Sequence, residues 1–305
     1  MISKRFVIAD VFTDLRFGGN QLAVFLDGSG LDAGIMQDIA REMNYSETTF
    51  LLPPEGEGDF RIRIFTPAHE LPFAGHPIVG SAYVIVSEKL KEWGKSFTTV
   101  TLEAGVGPIR IEVKTEAGKM GRSTMTQPLP VVRGQYSDVD AVAKALSLDT
   151  SIIRQTNLPV ETIFNGIAAL IVPVASLSAI ENIKIDSNRL SQISNEVRAS
   201  TVLAFTRETL LPTNTVHCRV FAPAAGVSED AATGSANGCF GFYLVRHKVV
   251  QPTATTRIIS EQGYEMKRPS QLYIDVDVNI DSNDVTEVRV GGSVVIAGRG
   301  EIFVE

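Results

Sequence analysis

Cysteine is scarce in this 305-residue chain: the two present, Cys218 and Cys239, form neither a CxxC pair nor a disulfide framework. Reduced, buried thiols are therefore expected rather than redox or nucleophilic ones. The four histidines form no cluster with cysteine at zinc-ligand spacing, so no metal site is supported. Nor does any GxGxxG lead from a strand into a helix. The lone GxG at Gly105 and Gly107 is not a dinucleotide fingerprint, and no nicotinamide or nucleotide cofactor is expected. Apolar runs stop short of the about 18 residues that span a bilayer. The opening "MISKRFVIADVF" lacks the apolar core and small-residue cleavage site of a signal peptide, so a cytoplasmic location is expected. Clustered Lys and Arg are missing too, and the net charge is -7. That argues against nucleic acid or a membrane surface and leaves a small molecule as the expected partner.

What is present is an ordinary globular composition, 44% hydrophobic and 21% charged, on a chain long enough for two domains or two similar halves. "FVIADVF" and "NQLAVFLDG" read as strands, "AGIMQDIAREMN" as a helix, and "SETTFLLPP" and "DFRIRIFTP" as strands again. Gly75, His76 and Pro77 then open an apolar segment running to about Leu90. Pro77 suits the first turn of a helix, because its missing N–H is one of the unpaired ones there. His76 is thus placed beside a helix start, where backbone N–H groups attract an anion. The segment "QPLPVVRGQYSDVD" reads as a linker, and the boundary is expected between Pro128 and Gly134.

The second half repeats the plan of the first. "RIFTP" at Arg63 to Pro67 recurs as "RVFAP" at Arg219 to Pro223, and "ELPFAGH" at Glu70 to His76 aligns with "EDAATGS" at Glu229 to Ser235. The order of elements before them recurs as well, which implies a divergent internal duplication. Two halves, each with a glycine at a helix start, suggest a cleft with both starts turned to one ligand. Glu47, in "NYSETTF" before an apolar strand, reads either as a solvated turn carboxylate or as a proton carrier whose pKa is raised by poor hydration. His76 reads either as a structural histidine or as a site residue. Asp230 reads as a cap, a turn residue or a site residue. Ser235, with the N–H groups of Gly234 and Ala236, would make a carboxylate cradle. His69, His217 and His247 show no ligand spacing, and "SEQGYEMKRPS" reads as a turn between strands.

Taken in order, "DVFTDLRFGGNQLAVF", "YSETTF", "RIFTPAHELPFAGHP", "EDAATGSANG", "SEQGYEMKRPS" and "VRVGGSVVIAGRGEI" resemble the PhzF-like phenazine-biosynthesis family over nearly the whole chain. That family shares its fold with diaminopimelate epimerase. The resemblance implies an α/β (α+β) fold of two pseudosymmetric halves, each a mixed sheet curled as a barrel around a central helix. The N-terminal half would cover residues 1–128, completed by a strand at about 294–305. The C-terminal half would cover 129–293, with the active site between the two. By motif, Glu47 resembles the family's acid/base, with Gly75 and His76 as binding and proton-positioning residues. Asp230, Gly234 and Ser235 resemble the second half's contribution. The implied activity is cofactor-independent isomerisation of a small carboxylate such as trans-2,3-dihydro-3-hydroxyanthranilate, by an enzyme that is a homodimer.

Neither cysteine falls where the related epimerase holds its opposed pair, which disfavours cysteine-based racemisation. The alternatives are an amino-acid epimerase or racemase and a non-catalytic metabolite-binding or protein-interaction module. Three positions depart from the family pattern: Gln21 and Ala231 stand in place of proline, and Lys267 in place of glycine.

Overall fold

The computed structural model describes residues 3–304; Glu305, at the end of the expected returning strand, lies outside them. The chain divides into two compact units, one of Met1–Thr126 with Gly291–Glu305 and one of Gln127–Val290.

In chain order the first unit runs β1 (Ser3–Val11), β2 (Asn20–Phe25), α1 (Ala33–Met43), β3 (Glu47–Leu52), β4 (Phe60–Phe65), β5 (Glu70–Leu71), α2 (Gly75–Ser87), β6 (Phe97–Ala104), β7 (Gly107–Glu116) and β8 (Lys119–Gln127). The second unit continues with β9 (Val131–Gln135), α3 (Val139–Ala145), α4 (Thr150–Arg154), β10 (Glu161–Phe164), β11 (Ala168–Pro173), α5 (Leu177–Glu181), α6 (Ser187–Glu196), β12 (Thr201–Thr206) and β13 (Val216–Ala222). It closes with β14 (Val227–Asp230), α7 (Gly234–Arg246), β15 (Thr255–Gln262), β16 (Ser270–Asn279) and β17 (Asp284–Gly292), after which β18 (Val294–Phe303) returns to the first unit.

Each unit is a mixed α/β assembly with the same ladder. In the first, β1 pairs β2 antiparallel, β2 pairs β3 parallel, β3 pairs β4 and β4 pairs β5 antiparallel, β4 pairs β6 parallel and β6 pairs β7 antiparallel. In the second the same directions recur through β10, β11, β12, β13, β14, β15 and β16. Even the flanking strand is matched: β18 lies antiparallel to β1, as β9 does to β10. The duplication legible in the motifs therefore extends to strand order and direction.

The segment expected to be a linker contains β9. Its β-branched Val131 and Val132 pair Phe164 and Ile163, and the register shifts beyond them so that Gly134 meets Thr162. Arg133, in the step between, lays its guanidinium 3.7 Å over the Phe164 ring.

At the centre of each unit lies one helix without a polar face. α2 and α7 each bury eleven of thirteen residues, which follows from their apolar and small side chains on all sides. α2 packs against β1, β2, β3, β6, β7 and β18, and α7 against β10, β11, β12, β15 and β16. Glycine permits the close approach. A Cβ on Gly80 would stand 2.6 Å from Leu22, and one on Gly241 would stand 2.5 Å from Ile274. α1 covers the outer face of its sheet, where Met36, Ile39 and Ala40 pack on Ala23, Phe25, Phe50 and Phe65. α3, α4, α5 and α6 do the same for the second unit. Among the described residues no helix is long and apolar enough to cross a membrane.

Candidate active site

Three element starts bring polar side chains together in the first unit. Asn20 opens β2, Glu47 opens β3 and His76 is the second residue of α2. Strand alternation sends Glu47 and Thr49 to the face turned toward α2, where the Thr49 and Ser81 hydroxyls meet at 3.0 Å. His76 Nε2 lies 3.3 Å from Glu47 Oε2, with the His76 side chain 4% and that of Glu47 16% exposed. Asn20 Nδ2 lies 3.1 Å from His76 Nδ1, and Ser46 Oγ donates to Asn20 Oδ1 at 3.4 Å.

Nδ1 thus faces the Asn20 amide while Nε2 is turned toward Glu47. Burial pushes the His76 pKa down to about 3, against a backbone hydrogen bond with Gln21. The ring is therefore neutral near pH 7. It stands beside Glu47 without contributing charge.

In the second unit Asp230, the last residue of β14, accepts the Thr233 hydroxyl at 2.5 Å. Gly234 and Ser235 start α7, and their carbonyls accept Gln127 Nε2 and Asn165 Nδ2, each at 2.9 Å. Asn165 and Gln127 also bond each other at 2.7 Å. Amide side chains thus fix the first turn of α7 and the backbone N–H groups of Gly234, Ser235 and Ala236 with it.

The two central helices differ from the rest at their N-termini. α1, α3, α4, α5 and α6 are each capped by an Asp or Ser side chain. α2 starts after Ala74 and α7 after Thr233, and neither has a side-chain cap. First-turn N–H groups that no cap engages can serve an anion instead.

The ladder registers identify the counterpart of Glu47. Thr48 pairs Phe65 across β3 and β4, and Val202 pairs Phe221 across β12 and β13; Phe65 and Phe221 stand two residues after the matched Arg63 and Arg219. Thr201 therefore occupies in the second unit the place that Glu47 holds in the first. Only the first unit has a carboxylate there.

Both cysteines are buried, and burial raises each thiol to about 12. They remain protonated near neutrality and are unsuited to proton abstraction.

Several polar residues were not legible as site candidates. Gln262, read as part of a turn, ends β15 and is fully buried against Thr233 and Asn237. Asn20 lies within the first family motif without being singled out, and Gln127 and Asn165 carried no motif signal. Glu70 and Glu229 proved to be strand clamps: Arg63 holds Glu70 through two bonds of 2.7 Å, and Arg219 holds Glu229 through two of 2.8 Å. Of the histidines set aside, His217 is fully buried between Glu261 and Glu265, at 2.8 and 2.9 Å, and His247 meets Glu161 at 2.9 Å. Neither Glu47 nor His76 lines the cavity of about 520 Å³ beside Arg61, Arg63 and Glu70, whose charges pair internally.

Two of the three departures noted in the sequence have local answers; nothing in the structure explains Gln21. Ala231 uses its carbonyl, which a proline would keep, to accept Ser270 Oγ at 2.9 Å. Lys267 sits at φ 59°, a left-handed conformation that explains why glycine suits the position.

The fold is a duplicated mixed α/β assembly in which the first unit sets a carboxylate beside a neutral histidine. The family described as phenazine biosynthesis-like protein, PhzC-PhzF, matches residues 9–300. A trans-2,3-dihydro-3-hydroxyanthranilate isomerase of Pseudomonas chlororaphis is 36% identical, covering 97% of this chain and 98% of its own. An uncharacterized isomerase of Mesorhizobium japonicum is 35% identical over 100% of both chains. The crystal structure of a PhzF-family phenazine biosynthesis protein of Bacillus anthracis superposes with a TM-score of 0.89 at 27% identity, covering 99% of this chain and 100% of that one. The chain belongs to the PhzF family of isomerases.

Proposed function

We propose that this protein isomerises a small carboxylate-bearing metabolite without a cofactor, and that trans-2,3-dihydro-3-hydroxyanthranilate or a close analogue is its substrate. Glu47 takes a proton from a substrate carbon and returns it to another carbon on the same face. His76, neutral and 3.3 Å from it, positions the carboxylate through both transfers. Asp230 orients the substrate, and the uncapped helix starts at Gly75 and at Gly234, Ser235 and Ala236 receive its carboxylate. The finer architecture belongs to the same reading: each sheet curls as a barrel around its central helix.

The observation that carries the reading is that the Glu47 carboxylate has no acidic counterpart at the matched position of the second unit. Inversion at a stereocentre calls for a second acid/base group on the opposite side, whereas Thr201 stands at the counterpart position and both thiols are inert. Return of the proton by one group fits a shift within the substrate better than epimerisation.

Exchange measured by NMR in deuterated water tests this. Wild-type protein with dihydrohydroxyanthranilate should incorporate solvent deuterium at carbon, and Glu47→Gln should lower that rate by about 10²–10⁴-fold. Exchange that persists in Glu47→Gln would remove Glu47 from the mechanism. Exchange with inversion would replace isomerisation by epimerisation.

A further inference from the structure

Three consecutive side chains at the end of β15, Ser260, Glu261 and Gln262, are polar and fully buried. Burying three polar groups in a row is costly unless each is satisfied, and a fully satisfied network fixes one geometry. Alternation sends Glu261 and Gln262 to opposite sides. Glu261 accepts from the Leu210 and Leu211 N–H groups, from Asn214 Nδ2 and from His217, which pins the strand end. Gln262 is thereby delivered in a set position to the loop that holds Asp230.

Its amide spends all four of its hydrogen-bonding valences there. Nε2 donates to the Asp230 carbonyl at 2.8 Å and to Thr233 Oγ1 at 3.0 Å. Oε1 accepts from the Thr233 N–H at 3.0 Å and from Asn237 Nδ2 at 2.9 Å. Since Thr233 has one hydroxyl proton and Gln262 already donates to its oxygen, that proton is left for Asp230 Oδ2, 2.5 Å away. The direction of every bond is then fixed: Gln262 to Thr233, Thr233 to Asp230.

We propose that Gln262 is a positioning residue for this isomerase, aiming the Asp230 carboxylate through the Thr233 hydroxyl. The proposal rests on the reading that Asp230 contacts substrate. Gln262 touches no substrate itself. Replacing it by an isosteric acceptor reverses the relay, because a carboxylate at 262 has no proton to give Thr233.

The test combines two readouts on folded protein, with urea denaturation to confirm that each variant folds. In the exchange assay Gln262→Leu and Thr233→Val should each lower kcat by about 100-fold, as a misplaced reacting group does. The double variant should lose no more than either single one, and Thr233→Ser should restore near wild-type kcat. Losses that multiply in the double variant would overturn the proposal, as would wild-type kcat in Gln262→Leu. The second readout needs no turnover: the Asp230 carboxyl ¹³C resonance, assigned by its loss in Asp230→Asn, should shift alike in Gln262→Leu and Thr233→Val but not in Thr233→Ser. An unmoved resonance in Gln262→Leu would sink the relay. If wild-type protein exchanges nothing, the functional reading fails, while this resonance still decides the relay.

Discussion

Two buried histidines titrate in opposite directions, and the difference follows from what meets their nitrogens. Around His76, burial dominates and its pKa falls from 6.5 to about 3. Burial also works against charge at His217, but hydrogen bonds to Glu261 and Glu265 overcome it and raise the value to about 9. The linkage signs are opposite. His76 costs nothing above pH 6.5, where folded and unfolded forms are both neutral; as pH falls toward 3 the unfolded chain takes the extra proton and stability drains away. His217 contributes fully below 6.5, and its contribution is lost as pH rises through 9. Imidazole ¹⁵N shifts should show His76 neutral at pH 5 while His217 is still charged at pH 8. A His76 signal that moves near pH 6.5 would contradict its role as a neutral neighbour of Glu47. His217→Gln should flatten the decline of unfolding free energy between pH 6.5 and 9.

At the scale of elements, the matched Arg–Glu clamps do the same job in different surroundings. Arg63 and Glu70 tie β4 to β5 with side chains 18% and 41% exposed. Arg219 and Glu229 tie β13 to β14 at 10% and 15%, and the same guanidinium also donates to the Ile180 and Ile183 carbonyls at 3.0 and 3.1 Å. Urea denaturation should show Arg219→Met costing about 3–5 kcal/mol, because it strands a buried carboxylate and two carbonyls. Arg63→Met should cost only about 0–1 kcal/mol. Equal costs would mean that burial does not set the value of the clamp. These arginines were legible as a repeat because strand motifs keep their spacing. Glu70 and Glu229 were matched positions too, but their pairing with the arginines was not legible, since a bond across a turn depends on register. For the same reason Glu47, His76 and Asp230 stood out by motif, whereas Gln262 was hidden in a turn whose importance comes from residues some thirty positions earlier, Asp230 and Thr233. β9 was misread because two prolines precede it, although its own residues are strand formers.

For the whole molecule, the duplication leaves one unit continuous and the other interrupted. Residues 127–290 form the second unit as one stretch, while the first waits for β18 to pair β1 from Ser3↔Phe303 to Val11↔Val294. Pairings that distant in sequence are slow to form. Hydrogen exchange during refolding should therefore protect the ladder of β11, β12 and β13 before that of β1 and β18; simultaneous protection would show the two units to be one folding step.

On the ribosome this order acquires a direction. β1 emerges early and then keeps one edge open while the entire second unit is synthesised. An open edge is a template for any neighbouring nascent chain. The pace of translation through residues 127–290 thus sets how long each new polypeptide stays vulnerable to pairing with the wrong partner.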